Sequence, residues 1–408
     1  MLLKILKSEV TNNQTIVISG SKSESNRLLI LKALFNNLGI DNLSSSDDTV
    51  VLKQALQSNS GIIDIHHAGT AMRFLTAYMS CLPNREVVLT GSDRMQQRPI
   101  GVLVEALRTL GADISYLKNE GFPPLKINGK NITRSTVHLN AGISSQFISA
   151  LMLVAPSLDN GLKIVLEGEI TSRPYLEMTL SLLNKVGVST SFQDHIINIQ
   201  PKKALETPVN LIVESDWSSA SYYYSMIALS PLQSSIHLKY YQINSLQGDS
   251  TLAEIYQDFG VETVFQDNGI RITKTAQANT VINFNLNNCP DIAQTITVTA
   301  FGLGLPCDLY GLHTLKIKET DRIFALKTEV EKLGGEVEIT DNSLHLKASN
   351  KISSAVTIET YNDHRMAMAF APLALKVPIY INDAMVVTKS YTTFWNDLKS
   401  IGFQIIEE

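Results

Sequence analysis

Apolar and polar positions along the chain follow one plan that recurs six times. In each copy a polar segment precedes a helix that is apolar around most of its circumference, and a strand follows. A polar loop then opens a helix with a single apolar stripe, and another strand follows. Residues 147–151 exemplify the first helix, and Leu103, Leu107 and Leu110 form the stripe of a second one. The pattern predicts β-α-β-α-β repeats with buried first helices and outer second helices.

Proline and glycine mark the predicted helix ends at a shared spacing. Prolines follow the first helices and glycines follow the second, each series recurring roughly every 70 residues. Because the two residue types end helices for different physical reasons, their agreement makes the repeat a strong prediction. The prolines are Pro83, Pro156, Pro231, Pro306 and Pro378, and the glycines are Gly111, Gly187, Gly260, Gly334 and Gly402.

The first repeat is shorter than the others, and the six together predict two domains. After its second helix, near residues 48–57, Gly61 and Gly69 follow too closely for the usual strand pair, so we expect a peripheral pair to be trimmed. Three repeats per domain give an α/β protein with domains at residues 19–213 and at residues 1–18 with 214–408. Residues 2–19 could pair with either half.

Composition narrows the class of protein. The length of 408 residues favours two domains, and a net charge of −5 argues against a broad nucleic-acid surface. The three cysteines have neither disulfide nor metal-site spacing, which fits a reducing cytoplasm. No apolar run reaches membrane-spanning length, and the first ten residues are too short for a signal peptide. We expect a cytoplasmic protein without nucleic-acid or membrane partners.

Cationic side chains stand at the predicted helix starts. Lys22 belongs to the first start, which lacks both glycines of a P-loop and, taken alone, would equally fit a capped helix with a solvated lysine. An arginine in the first helical turn opposes the helix dipole, so four of them together favour anion binding over simple capping. The four are Arg27, Arg73, Arg322 and Arg365.

Two acids stand among these cations. Asp291 would suit a helix N-cap and Glu319 a first helical turn, and each taken singly fits that structural role. Near so many cations, however, an acid is better suited to proton transfer than to binding an anion. The sequence alone therefore predicts a small-molecule enzyme that handles two strongly anionic ligands between two domains.

At these motifs the chain resembles the 5-enolpyruvylshikimate-3-phosphate synthase family over essentially its whole length. The resemblance implies two domains, each of three β-α-β-α-β-β units, that close on substrate. It implies transfer of the enolpyruvyl group of phosphoenolpyruvate to the 5-hydroxyl of shikimate 3-phosphate, with release of phosphate, by addition–elimination in the shikimate pathway. The motifs are Gly20-Ser21-Lys22-Ser23, Asn26-Arg27, Ala68 to Arg73, Arg94 to Gly101, Ser144-Ser145-Gln146, Ser172 to Tyr175, Gln247-Gly248-Asp249, Pro290-Asp291, Lys318 to Arg322 and Tyr361 to Met368.

The same resemblance implies roles for individual residues. Asp291 would be the base at the 5-hydroxyl, Glu319 and Lys22 would deliver protons, and His364 would support Glu319. The first domain would mainly bind shikimate 3-phosphate, through Lys22, Ser23, Arg27, Ser144, Ser145, Gln146, Ser172, Tyr175, Asp291 and Lys318. The second would mainly bind phosphoenolpyruvate, for which the residues are Lys22, Gly69, Arg98, Gln146, Arg322, Arg365 and Lys389. No metal or organic cofactor is implied, and we expect a monomer.

Departures from the family pattern and two rival interpretations remain. His67, Phe74, Thr314 and Thr392 replace the residues usual at their positions. The related transferase acting on UDP-N-acetylglucosamine typically uses a loop cysteine near the arginine matching Arg98, and residues 94–101 contain none. A non-catalytic repeat protein binding an anionic partner would explain the cations but not the acids among them. Measurable turnover separates that protein from an enzyme.

Overall fold

The computed structural model describes residues 1–142, 144–170 and 173–408. The chain forms two compact units. One, the inserted domain, consists of Gly20–Val213, and the other, the terminal domain, combines Met1–Ser19 with Glu214–Glu408.

Helices and strands alternate along both domains. The helices are α1 Lys22–Leu34, α2 Asp47–Gln57, α3 Gly69–Ser80, α4 Gly101–Leu110, α5 Ser145–Val154, α6 Arg173–Lys185, α7 Trp217–Leu229, α8 Leu252–Ile255, α9 Ala293–Leu303, α10 Arg322–Lys332, α11 His364–Phe370 and α12 Phe394–Ser400. The strands are β1 Leu3–Ile5, β2 Gln14–Ile16, β3 Leu38–Asp41, β4 Ile62–Asp64, β5 Glu86–Thr90, β6 Asp113–Tyr116, β7 Leu125–Asn128, β8 Thr136–Asn140, β9 Leu162–Glu167, β10 Thr190–Gln193, β11 Ile196–Ile199, β12 Val209–Ile212, β13 Ser235–Lys239, β14 Val261–Gln266, β15 Gly269–Lys274, β16 Ile282–Asn285, β17 Cys307–Tyr310, β18 Val337–Ile339, β19 Ser343–Leu346, β20 Val356–Ile358, β21 Ile379–Ile381 and β22 Ile405–Glu407. Short 3-10 helices cover Met95–Gln97, Ala155–Ser157, Gly248–Thr251, Pro290–Ile292, His313–Ile317, Ala371–Leu375 and Ala384–Lys389.

Each complete repeat builds one four-stranded sheet. In the second repeat β4 pairs parallel with β5, and β7 pairs antiparallel with both β5 and β6, which gives the order β4-β5-β7-β6. The same arrangement recurs as β10-β11-β9-β8 and as β16-β17-β19-β18. In these three sheets a helix crosses over between the two parallel strands, as parallel pairing requires. The predicted α/β repeat fold is confirmed.

The first repeat keeps only a two-stranded sheet. In it β3 pairs parallel with β12, Leu38 lying opposite Val209. Among the residues that the structure describes, the other five sheets have four strands each. The expected loss of a peripheral strand pair is confirmed, because Gly61 leads directly into β4.

The N-terminal strands complete two sheets of the terminal domain. β2 pairs parallel with β13, and β1 lies between β21 and β22, antiparallel to both. The sequence had left these residues free to pair with either half. The pairing makes the terminal domain discontinuous in sequence, with its first strands separated from the rest by the whole inserted domain.

Helix burial follows the predicted division. Every residue of α3 and every residue of α7 except Ser218 is buried, whereas α4 buries one face through residues such as Leu103, Val104 and Leu107. The five glycines that follow second helices all have positive φ, between 73° and 112°, which only glycine adopts readily. Pro99 precedes the N-cap of α4, because Ile100 caps this helix and Gly101 begins it.

Candidate functional site

The start of α1 presents a capped turn with a partly buried lysine. The Ser21 side chain accepts from the Glu24 backbone N–H, at 3.5 Å, and so caps the helix. Lys22 Nζ lies 3.7 Å from an Asp48 carboxylate oxygen on α2. Lys22 is therefore paired only loosely, so an anionic ligand would compete with one carboxylate for its charge.

Arg27 on the same helix has neutral hydrogen-bond partners. Its Nε donates to Thr179 Oγ1 at 2.7 Å, one Nη donates to the Ser23 carbonyl at 2.7 Å, and the other donates to Ser149 Oγ at 3.1 Å. The guanidinium also lies 5.7 Å from the centre of the Tyr175 ring. Burial lowers the pKa of Arg27 to about 10. Arg27 thus contacts Ser23 and Tyr175, and all three residues belong to the predicted binding set for shikimate 3-phosphate.

Phe74 joins this group although its residue type departs from the family pattern. It is 1% exposed, and its ring centre lies 5.6 Å from the Arg27 guanidinium carbon. An aromatic ring in that position stabilises a cation through its π face. The departure therefore adds to the surroundings of a predicted site residue and leaves α3 regular.

The start of α3 leaves its backbone open to an arginine. A Cβ atom at Gly69 would lie 2.5 Å from Arg98 Nη1 and 3.0 Å from Arg98 Cζ, so only glycine lets the guanidinium approach this closely. Arg73 donates to the Gly69 carbonyl at 2.9 Å and to the Pro99 carbonyl at 3.3 Å. The structure thus brings together Gly69 and Arg98, two of the residues for which phosphoenolpyruvate binding is predicted.

The start of α5 carries the predicted serine and glutamine side chains. Ser144 occupies the N-cap position, Ser145 is buried, and Gln146 donates to Thr70 Oγ1 at 3.3 Å. Thr70 is the second residue of α3, so this bond connects two helix starts within the inserted domain. Ser172, the remaining predicted contact here, lies outside the described residues.

In the terminal domain Arg322 is surrounded by carboxylates. Its Nε lies 2.6 Å from Asp363 Oδ2, one Nη lies 2.9 Å from Asp291 Oδ1, and the other lies 2.7 Å from Glu319 Oε2. The side chain is only 2% exposed. Burial lowers the pKa of Arg322, but Asp363 and the other two carboxylates outweigh burial and raise the pKa above its ordinary value.

Asp291 in turn faces three cations. Besides Arg322, Lys318 Nζ lies 3.1 Å from Asp291 Oδ1, and Arg365 Nη2 lies 3.3 Å from Oδ2. Burial raises the pKa of Asp291, but the three cations outweigh burial and hold that pKa well below its usual range. We call Asp291, Lys318, Glu319, Arg322, Asp363 and Arg365 the ionic cluster. It assembles three separate sequence motifs, from the starts of α9, α10 and α11.

Two further predicted residues lie beside the ionic cluster. His364 is buried, with Nδ1 3.8 Å from Asp363 Oδ1. Lys389 Nζ donates to the Asn362 carbonyl at 2.6 Å. Asn362 has a φ of 56°, and Asp363 then caps α11 by accepting from the Arg365 backbone N–H at 2.9 Å. The support of Glu319 by His364 stays a prediction.

The sequence analysis assigned no role to two polar residues that adjoin the ionic cluster. Ser218 Oγ donates to Asp249 Oδ2 and accepts from Arg365 Nη2 at 3.2 Å. Burial raises the pKa of Asp249 to about 6, with Arg365 acting in the opposite direction. Asp249 belongs to a motif that carried the family resemblance, and Ser218 lies two residues after Asp216, which caps α7 at the start of a repeat helix, so position in the repeat was a usable signal for both.

The side chains and helices of the described residues bear on metal binding and on membrane insertion. Across residues 1–142, 144–170 and 173–408, no group of three His, Cys, Asp or Glu side chains is placed to hold a metal ion. Within the same described stretches, no helix combines the length and apolar character that crossing a bilayer demands. Cys289 and Cys307 are buried, and Cys81 is half-buried, as expected for packing residues.

Known proteins resemble this chain along most of its length. The family model for EPSP synthase (3-phosphoshikimate 1-carboxyvinyltransferase) matches residues 35–398. A 3-phosphoshikimate 1-carboxyvinyltransferase of Bacteroides fragilis (strain YCH46) is 47% identical over 398 residues, which cover 96% of each chain. One of Haemophilus influenzae (strain ATCC 51907 / DSM 11121 / KW20 / Rd) is 36% identical over 422 aligned positions, covering 95% of this chain and 96% of that relative.

Solved structures share the fold. An EPSP synthase from Acinetobacter baumannii has a TM-score of 0.82 at 20% identity, with 100% of both chains covered. The enolpyruvyl transferase NikO from Streptomyces tendae has a TM-score of 0.78 at 13% identity, with 99% of this chain and 98% of that chain covered. At such identities the likeness speaks for the fold, while the family-model match and the 47% identity carry the assignment. The chain belongs to the EPSP synthase family.

Proposed function

We propose that the protein catalyses the transfer of the enolpyruvyl group of phosphoenolpyruvate to the 5-hydroxyl of shikimate 3-phosphate. The products are 5-enolpyruvylshikimate 3-phosphate and inorganic phosphate. The observation that carries the proposal is the ionic cluster, in which one partly buried carboxylate, Asp291, meets Lys318, Arg322 and Arg365 within 3.3 Å. Family membership supplies the reaction, and the cluster supplies fixed cations and an acceptor for a hydroxyl proton.

The reaction needs an addition and an elimination. In the addition, the 5-hydroxyl oxygen bonds to C2 of phosphoenolpyruvate, the hydroxyl gives up its proton, and the methylene carbon gains one. In the elimination, the resulting methyl group loses a proton and the bond from C2 to the phosphate oxygen breaks. We assign the hydroxyl proton to Asp291, and proton delivery to Glu319 and Lys22. His364 would hold Glu319 in place.

The base role of Asp291 has an electrostatic requirement. A carboxylate whose pKa is held low by three cations is a weak base, because its ionised form is already stabilised. Anionic substrates would compete with Asp291 for Lys318, Arg322 and Arg365. Their binding would therefore raise the pKa of Asp291, so that the base gains strength only when both substrates are in place.

The ligand contacts are proposed from the same geometry and the family pattern. For shikimate 3-phosphate, Arg27 links Ser23 and Tyr175, and Gln146 connects the starts of α3 and α5. For phosphoenolpyruvate, the open backbone at Gly69 beside Arg98 offers both N–H groups and charge. The full shikimate 3-phosphate set is Lys22, Ser23, Arg27, Ser144, Ser145, Gln146, Ser172, Tyr175, Asp291 and Lys318, and the full phosphoenolpyruvate set is Lys22, Gly69, Arg98, Gln146, Arg322, Arg365 and Lys389.

Further properties follow the family pattern. We propose a cytoplasmic monomer that serves the shikimate pathway towards chorismate and the aromatic amino acids and uses small-molecule substrates only. Domain closure on substrate binding remains a prediction from the sequence, as does the division of the ligands between the domains.

Phosphate release by the purified protein tests the proposal. We expect release only when phosphoenolpyruvate and shikimate 3-phosphate are both present, together with a new enol ether signal in the proton NMR spectrum. Release with UDP-N-acetylglucosamine in place of shikimate 3-phosphate would contradict the acceptor. A folded protein that releases phosphate with neither acceptor would contradict the reaction and favour an anion-binding protein.

A further inference from the structure

Ser218 lies at the start of α7 between two charged groups of opposite sign. Its hydroxyl donates to Asp249 Oδ2 and accepts from Arg365 Nη2 at 3.2 Å. Capping does not explain this position, because Asp216 caps α7 by accepting from the Ser219 backbone N–H at 2.7 Å. The hydroxyl of Ser218 is therefore available for a role outside its own helix.

Arg365 Nη2 contacts both Ser218 and Asp291. Nη1 donates to the Asp291 backbone carbonyl at 3.0 Å, while Nη2 lies 3.2 Å from Ser218 Oγ and 3.3 Å from Asp291 Oδ2. A terminal guanidinium nitrogen carries two hydrogens, so Nη2 donates to the hydroxyl and to the carboxylate at the same time. Removing the hydroxyl would take away one of these two acceptors and loosen the orientation of the guanidinium.

Asp249 fixes the direction in which the Ser218 hydroxyl points. The Asp249 side chain is 3% exposed, and within the described part of the chain its Oδ1 has no hydrogen-bond partner. A hydroxyl has one proton, and Ser218 gives it to Asp249 Oδ2. The lone pairs of Ser218 Oγ are consequently directed to Arg365, which makes the serine an obligate acceptor for that guanidinium.

We propose that Ser218 is a positioning residue that fixes the orientation of the Arg365 guanidinium beside Asp291. The proposal rests on the proposed function for its catalytic meaning: a guanidinium fixed in this orientation can bind the phosphoenolpyruvate carboxylate. Asp249 acts through Ser218 by fixing the hydroxyl direction.

Steady-state kinetics of Ser218→Ala test the proposal. We expect the KM for phosphoenolpyruvate to rise about tenfold, with the KM for shikimate 3-phosphate within about twofold of the wild type. The substitution removes a hydrogen bond to the charged Arg365, which is proposed to contact only phosphoenolpyruvate. Ser218→Thr keeps the hydroxyl and should restore the KM for phosphoenolpyruvate to within about threefold of the wild type.

A matched control separates positioning from packing. Ser225 lies on the same helix, is fully buried and accepts from Thr299 Oγ1 at 2.8 Å. We expect Ser225→Ala to lower the stability of the protein without changing either KM. An equal rise of both KM values in Ser218→Ala, or no rescue by Ser218→Thr, would overturn the proposal.

A double-mutant cycle tests the Ser218–Asp249 link without any turnover. Urea unfolding is measured for Ser218→Ala, Asp249→Asn and the double variant. For each variant, the change in the unfolding equilibrium constant relative to the wild type is measured. We expect the change in the double variant to be at least about threefold smaller than the product of the changes in the two single variants. Additive effects would overturn the link. Coupling in the cycle with an inactive wild type would instead refute the proposed function and leave the side-chain arrangement standing.

Discussion

Arg27 and Arg322 are two buried arginines near the starts of repeat helices, and their hydrogen-bond partners are of opposite kinds. Arg27, in the inserted domain, donates to hydroxyls and a carbonyl, and burial lowers its pKa to about 10. Arg322, in the terminal domain, contacts three carboxylates that raise its pKa. A buried cation with neutral partners can offer its charge directly to a ligand, whereas for a cation among carboxylates a ligand must compete with those carboxylates. The comparison teaches that the repeat places an arginine near a helix start, whereas the side chains around that arginine determine how it can interact with a ligand.

The largest expected effect comes from the acid at the centre of the ionic cluster. Asp291→Asn should lower kcat by roughly 10²–10⁴-fold, the range for loss of a general base. Stopped or continuous phosphate-release assays on the folded variant measure this kcat. A loss below about tenfold would show that the terminal domain uses Asp291 only to hold its cations.

Replacing each arginine by methionine sharpens the comparison directly. Arg322→Met leaves Asp363, which is 0% exposed, without its closest cation, so we expect the terminal domain to lose about 3–5 kcal/mol of unfolding free energy. Arg27→Met leaves hydroxyls and a carbonyl unpaired and removes a cation that attracts the Glu24 carboxylate, and it should cost about 1–3 kcal/mol. Both tryptophans, Trp217 and Trp395, lie in the terminal domain, so their fluorescence follows the first variant and circular dichroism follows the second. Equal costs would remove the contrast between the domains.

Gly69→Ala tests whether the inserted domain relies on open backbone. The added Cβ would lie 2.5 Å from Arg98 Nη1, and the flexible arginine must shift. We expect the KM for phosphoenolpyruvate to rise roughly tenfold with an unchanged KM for shikimate 3-phosphate, because a displaced ligand group weakens binding at one substrate. Gly61→Ala, where a Cβ meets nothing within 4 Å, is the matched control and should leave both values unchanged.

The smallest effect is a pH dependence at Asp249. Burial raises the pKa of this carboxyl to about 6, so the folded state holds a proton that the unfolded chain releases, and stability is lost as the pH rises through that value. From about pH 4 to about pH 7, Asp249→Asn should gain on the order of 1–2 kcal/mol relative to the wild type, since the amide does not titrate. Arg365, Asp291 and Asp216 also face Asp249 and limit the size of the change. Parallel stability curves would contradict the raised pKa, and Asp159→Asn, at an exposed site in the inserted domain, provides the control.

The repeat and the identity of the helix starts could be predicted from sequence because they depend on local physics. Proline and glycine end helices through their own backbones, and the five glycines after second helices do have positive φ. The partners of Arg27 could not be predicted, because Ser149 and Thr179 lie more than 100 positions away and have no distinguishing motif. The contacts of Ser218 could not be predicted for the same reason. A serine after a helix cap is common, and its partners Asp249 and Arg365 are distant in sequence.

The pairing of β1 with both β21 and β22 has a consequence for the order of folding during synthesis. The inserted domain is continuous in sequence, so all of its strands are available once Val213 has been made. Leu3 pairs with Ile381 and with Glu407, so β1 cannot complete its sheet until β21 and β22 have been made. We expect the inserted domain to fold first, while the sheet that contains β1 closes only after β22 has been synthesised.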